Sequence, residues 1–287
     1  MEIKQIGNIK GGQDGAIYGS LLFRFDTLGN CTIYDLKDLN EGQDNQPKVV
    51  GEFRLDQAEK IVPHSNAVCF GCEFFDKDDE FPLLYSNIYN NYAKEEDKMI
   101  GVCLVYRIER QGGAFKSTLV QMIEIGFCED ENLWKDCADM HGVRPYGNFV
   151  VDKDTKSYWA FVMRDEQKTT RYFRFNLPSV KDGEVDGRLN IKKVVLNKED
   201  ILEYFDCNYH HFIQGASLNN GKIYSTEGFK NNLVNRPAIR IIDLEKRQET
   251  HFDIMEQGFT NEPEFIDFYG DKCLYSDYEG NLYIAKF

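Results

Sequence analysis

Four of the five histidines in this chain, His64, His141, His210 and His211, stand a few residues ahead of a β-rich run. Each has company able to bind a ligand or move a proton. His64 is followed by Ser65 and Asn66, His141 by Arg144 and Tyr146, and the 210–211 pair by Gln214. Two further lead-ins lack histidine but hold carboxylates: Gln13 with Asp14, and Asn261 with Glu262 and Glu264. Amides and imidazoles fix a ligand through directional hydrogen bonds. A carboxyl group shielded from water gains the raised pKa that general acid–base work needs. Gathered at one place these side chains make a polar-ligand site; scattered, they are ordinary loop residues.

The elements that would gather them emerge when the short β-runs are collected. From Asp14 the chain reads "DGAIYGS", "LLFRFDT", "GNCTIYDLKD" and "PKVVGEFRLD". Sets of four follow from Asn66, Gly147 and Gln214, each divided by Gly, Asn, Asp or Pro turns. In the third set the fourth run is "IKKVVLN". A final set from Glu264 has three runs, and "EIKQIGNI" near the N-terminus can supply its fourth. A ring of four-stranded units closed this way leaves no open edge. The expectation is an all-β fold, a five-bladed β-propeller forming a single domain over residues 1–287, with the N-terminal strand closing the last blade. Two insertions, 128–142 and 197–206, read as short helices, the second because Asn197 and Asp200 have capping-box spacing. The 16 tyrosines and 21 phenylalanines suit pleated surfaces.

In such a ring the first strand of each blade lines the axis, so the lead-ins meet at one mouth although they are far apart in sequence. The second-to-third-strand loops open on the same face and add Asp26, Asn90, Arg164, Asp165, Glu227 and Asp277. The candidate catalytic groups are Glu264, Glu262 and Asp14. The candidate ligand-binding groups are His64, Asn66, Arg144, Tyr146, His211 and Gln214. The variety of these side chains favours a specific site over a merely solvated rim, which Lys, Glu and Ser would dominate.

The run "FIQGASLNNGKIYSTEGFKNN…PAIRIIDLEKRQ" resembles the signature repeat of the propeller-type glutaminyl cyclases. The matching residues are Phe212, Gln214, Gly215, Gly221, Lys222, Tyr224, Ser225, Thr226, Gly228, Arg240, Asp243 and Leu244. The family carries this repeat near its N-terminus, whereas here it opens the fourth unit, so the blade order would be circularly shifted. The resemblance implies a five-bladed ring in which a Gln of this motif, with a Glu and an Asn from other blades, surrounds the substrate. It implies that a substrate's N-terminal amine attacks its own side-chain amide and releases ammonia. Glu264 or Glu262 would then shuttle the proton, and Gln214 and Asn66 would hold amide and backbone.

Other chemistries fit the same mouth. Glycoside processing needs two carboxylates across a sugar, and Asp14 with Glu264 is the best pair. His64, His141 and His211 match zinc in number, though no metal is expected. A non-catalytic ligand-binding or scaffold propeller is the remaining alternative. No phosphate loop, dinucleotide fingerprint or nucleophile elbow occurs, and no cofactor is expected. The net charge of −14, with no basic block, argues against nucleic acid and membrane as partners. It leaves a small polar molecule, a peptide or a sugar. No run reaches the roughly 20 apolar residues of a membrane span. The eight cysteines are scattered through apolar runs, which points to free thiols and a cytoplasmic location.

Overall fold

The computed structural model describes residues 1–41, 46–88, 94, 97–99, 101–127, 148–164, 169–208, 210 and 212–287. Strand β1 (Glu2–Asn8) precedes the first sheet, β2 (Gly15–Tyr18), β3 (Leu21–Phe25), β4 (Asn30–Asp35) and β5 (Lys48–Arg54). A four-residue helix, α1 (Ala58–Ile61), leads to β6 (Val68–Phe70), β7 (Leu84–Asn87), β8 (Val102–Gln111) and β9 (Ala114–Ile125). Next come β10 (Asn148–Asp152), β11 (Ser157–Arg164), β12 (Thr169–Asn176), the two-residue β13 (Glu184–Val185), β14 (Lys192–Leu196) and β15 (Glu203–Asn208). The fourth set is β16 (Ile213–Asn219), β17 (Lys222–Glu227), β18 (Ala238–Asp243) and β19 (Gln248–Asp253). The chain finishes with β20 (Pro263–Tyr269), β21 (Lys272–Asp277) and β22 (Asn281–Lys286).

Five antiparallel meanders result, and their first strands β2, β6, β10, β16 and β20 each adjoin the next around a closed ring. The arrangement is a five-bladed β-propeller. In the fifth blade β1 lies antiparallel outside β22, with Glu2 opposite Lys286 and Asn8 opposite Asn281.

The ring is held by its seams. Successive side chains of a strand point to opposite sheet faces, so each blade offers one apolar set to each neighbour. Val68, Phe70 and Leu84 pack with Phe23, Phe25 and Ile33 toward blade one. Cys69, Tyr85 and Val105, from the same strands or the one beside them, pack with Phe149, Tyr158 and Phe173 toward blade three. Separate clusters fill the three-to-four, four-to-five and five-to-one seams. The six described cysteines are free, including Cys69 and Cys72. Among the described residues no helix is long and apolar enough to cross a membrane.

Two expectations need correction. The run "IKKVVLN" is not the outer strand of blade three: as β14 it pairs in parallel with β9, placing Leu196 beside Ile125 in blade two. The capping box at Asn197 and Asp200 does form, with the Asn197 N–H donating to Asp200 Oδ2 at 2.7 Å, but it caps only one 3-10 turn, Lys198–Asp200. The following "EYFDCN" is β15, the true outer strand of blade three, pairing with β12. Its residues alternate in burial around Phe205 and lack the 3.6-residue repeat of a helix. The other expected helical insertion, 128–142, lies outside the described residues.

Candidate functional site

Two of the five inner strands start with a bulge, and each bulge carries a site residue. The pairing of β16 with β17 skips a residue between Ile213 and Gly215, and that of β20 with β21 skips one between Pro263 and Phe265. The skipped residues are Gln214 and Glu264. A bulge frees one residue from the ladder and re-aims its side chain, here toward the axial mouth. Gly215 lets the two bulged strands meet: a Cβ there would lie 2.2 Å from the Glu264 carbonyl oxygen and 2.8 Å from Asp14 Oδ1.

The mouth is a cavity of about 300 Å³ lined by Gln13, Thr27, His64, Asn66, Phe212, Ile213, Gln214, Phe229, Glu262, Glu264 and Tyr278. Gln13, His64, Asn66, Gln214, Glu262 and Glu264 come from the lead-ins of blades one, two, four and five. Thr27, Phe229 and Tyr278 come from loops between second and third strands. Residues up to 251 positions apart thus touch directly, as Gln13 and Glu264 do.

A chain of hydrogen bonds fixes the carboxylate. His64 Nε2 lies 2.6 Å from Gln13 Oε1, and Gln13 Nε2 donates to Glu264 Oε1 at 3.3 Å. An amide oxygen only accepts, so His64 carries its proton on Nε2. Burial holds the His64 pKa down at about 4, so the ring is neutral near pH 7. Glu264 Oε2 is buried with no protein partner among the described residues, as is Asn66 Oδ1. Glu264 is only 2% exposed. Burial, reinforced by the Glu262 charge, pushes its pKa up to about 8 despite Arg24 and the Gln13 hydrogen bond. Glu262, also raised by burial, accepts from Gln214 Nε2 at 2.6 Å, and the same nitrogen donates to the Gly228 carbonyl at 3.1 Å.

Asp14 takes a different place. It is fully buried and does not line the cavity. Its Oδ2 accepts from the backbone N–H of Val68 at 2.8 Å and of Ala216 at 3.4 Å, tying blades one, two and four at the axis. Asp14 and Glu264 therefore do not flank one cavity as a glycosidase pair would. Arg144, Tyr146 and His211 lie outside the described residues, as do His141, Asn90 and Asp165. Among the described residues no group of three or more His, Cys, Asp or Glu side chains could hold a metal.

Two features were not singled out from sequence, and the role of a third was not. Arg24 is 2% exposed beneath the mouth, with Nη2 donating to the carbonyls of Gly12 at 2.8 Å and Asp277 at 3.2 Å. A lone arginine within "LLFRF" is the signal that would have found it. Gln13 links His64 to Glu264, a role its lead-in position alone does not convey. The aromatic wall of Phe212, Phe229 and Tyr278 had no signal, because phenylalanine and tyrosine are common throughout the chain.

The class this defines is a five-bladed propeller with a carboxylate-centred polar mouth. No protein-family model matches the chain, and no curated protein does. Among solved structures it is similar to a glutaminyl cyclase from Myxococcus xanthus, at 9% identity and a TM-score of 0.48, over 99% of this chain and 93% of that one. It is also similar to the Dos1 propeller, at 9% identity and a TM-score of 0.34, over 95% of this chain and 57% of that one. At such identities and scores neither likeness carries chemistry across.

Proposed function

We propose that the mouth binds a small polar ligand with a free amine beside an amide, and closes N-terminal glutamine to pyroglutamate. The observation that carries this reading is Glu264: a buried carboxyl group in the cavity wall, one oxygen held by Gln13, the other without a protein partner, and a pKa of about 8. A peptide α-amine titrates at about 7.7–8.0, so proton exchange between the two is close to thermoneutral, where a general acid–base works best. Among the described residues no Lys or Arg lines the cavity, which favours an amine over an anion.

The reaction needs no other reagent. The neutral amine nitrogen attacks the substrate's own side-chain amide carbon and forms the ring C–N bond. Glu264, as carboxylate, accepts the proton this nitrogen sheds. It returns that proton to the departing nitrogen as the C–NH2 bond breaks and ammonia leaves. Asn66 Oδ1 and Gln214 Oε1 would accept hydrogen bonds from the substrate, while Glu262 and the Gly228 carbonyl keep Gln214 oriented through its Nε2. The test is ammonia release and pyroglutamate formation from Gln-initiated peptides. The expected result is turnover that falls by roughly 100-fold or more in Glu264→Gln. Binding of such peptides without ammonia above the uncatalysed rate would leave a non-catalytic ligand site in place of an enzyme.

A further inference from the structure

The cavity wall is chemically divided. Gln13, His64, Asn66, Gln214, Glu262 and Glu264 supply polar groups, while Phe212, Ile213, Phe229 and Tyr278 supply an apolar flank from blades four and five. Phe212 and Phe229 form a pair with ring centroids 4.7 Å apart, and both are only half-buried. Tyr278 beside them is 53% exposed. The pair is held by the backbone: the Gly228 N–H donates to the Phe212 carbonyl at 3.0 Å, and Phe212 is kept at a φ of 56°. A bulky side chain adopts that left-handed conformation only when its surroundings impose it.

The polar groups and the aromatics line one and the same cavity of about 300 Å³, so a ligand seated at Glu264 has the apolar flank beside it. With glutamine on the polar groups, the next side chain meets that flank, which reaches the open rim at Tyr278. Charge acts in the same direction. Glu262 faces the cavity, and Asp277 and Glu279 meet the Asn261 amide just behind it. Of the described cations beside them, Lys230 is paired with Glu279, and Arg24 is buried against the carbonyls of Gly12 and Asp277; neither lines the cavity. An acidic side chain at the rim would be repelled.

We propose that Phe212, Phe229 and Tyr278 form a subsite for the second residue of a Gln-initiated peptide, selecting aromatic and large apolar side chains and rejecting acidic ones. The subsite rests on the cyclisation reading only for where the first residue sits.

The test uses the amide-capped dipeptides Gln-Phe, Gln-Ala and Gln-Glu. Binding is measured by calorimetry on Glu264→Gln, and kcat/KM on the unsubstituted protein. The expected result is that Gln-Phe binds roughly 10-fold or more tightly than Gln-Ala, with Gln-Glu weakest. Adding Phe229→Ala should erase the Phe-over-Ala preference while Gln-Ala binding stays within about twofold. Phe229→Leu, which keeps an apolar side chain, should be intermediate and serves if the alanine variant melts early. Equal affinity for Gln-Phe and Gln-Ala, or a preference that survives Phe229→Ala, overturns the subsite; so does a failure of all three to bind. A preference in binding without ammonia release upholds the subsite and removes the cyclisation reading. Ammonia release at equal kcat/KM from all three does the reverse.

Discussion

Replacing Glu264 by glutamine should make the protein more stable in alkaline buffer. In the folded state the carboxyl titrates at about 8, against an ordinary 4.5, chiefly because burial penalises its charged form. A raised carboxyl pKa costs nothing below pH 4.5, where folded and unfolded chains both hold the proton. The cost grows from there to pH 8 and is complete above it, because the unfolded chain has ionised freely while the folded one must bury the charge. At about 1.4 kcal/mol per pH unit, the whole cost is about 5 kcal/mol. The substituted amide would keep the acceptor for Gln13 but add an N–H2 needing a partner, a penalty of about 1–3 kcal/mol that does not vary with pH. The pH-dependent part therefore isolates the carboxyl. Urea unfolding of both proteins at pH 5 and pH 8.5 should show the variant gaining about 4 kcal/mol on the parent between the two. A difference that stays constant with pH would show that Glu264 ionises normally, and the proton-transfer argument would fall with it.

Two further outcomes follow from residues that do not themselves line the cavity. Gly215→Ala drives a Cβ to 2.2 Å from the Glu264 carbonyl oxygen, which is backbone and cannot swing aside, so a loss of about 1–3 kcal/mol is expected in denaturant unfolding. Glu227, 1% exposed at its side chain, meets Arg240 Nη2 at 2.9 Å and His251 Nε2 at 2.9 Å. Burial opposes its ionisation, but the His251 hydrogen bond and the His210 and Arg240 charges outweigh it and hold the pKa at about 2. Its contribution is present above pH 4.5 and lost as pH falls through 2, so the parent should lose about 3 kcal/mol over that window and Glu227→Gln should not.

The ring was legible because turn residues punctuate runs whose apolar positions alternate, and those signals are local. The blade-three error shows the limit. Asn197 and Asp200 form the capping box their spacing advertises, yet helix propagation needs an apolar stripe that "EYFDCN" lacks. The parallel partnership of β14 with β9 was illegible because nothing near 192–196 encodes a partner in blade two. Positions at the mouth could be read for Gln13, His64, Asn66, Gln214, Glu262 and Glu264, since each precedes or opens an inner strand. Asp14 occupies the same kind of position, but its carboxylate turns to the backbone N–H groups of Val68 and Ala216. Which way a side chain turns is decided by neighbouring blades, a long-range fact that spacing does not contain.

The parallel strand has a consequence for biosynthesis. β9 is twelve residues long, and the outer edge of its last five, Gln121–Ile125, is covered by β14, which begins at Lys192. At roughly 5–20 residues per second, the roughly 70 intervening residues take several seconds to emerge. Hydrophobic collapse of a chain this size takes only microseconds. A nascent second blade therefore waits with a long unpaired edge, the kind of template on which other chains add strands. Blade two is completed only when β14 has emerged, so chaperone demand during translation should peak between the synthesis of Ile125 and Leu196.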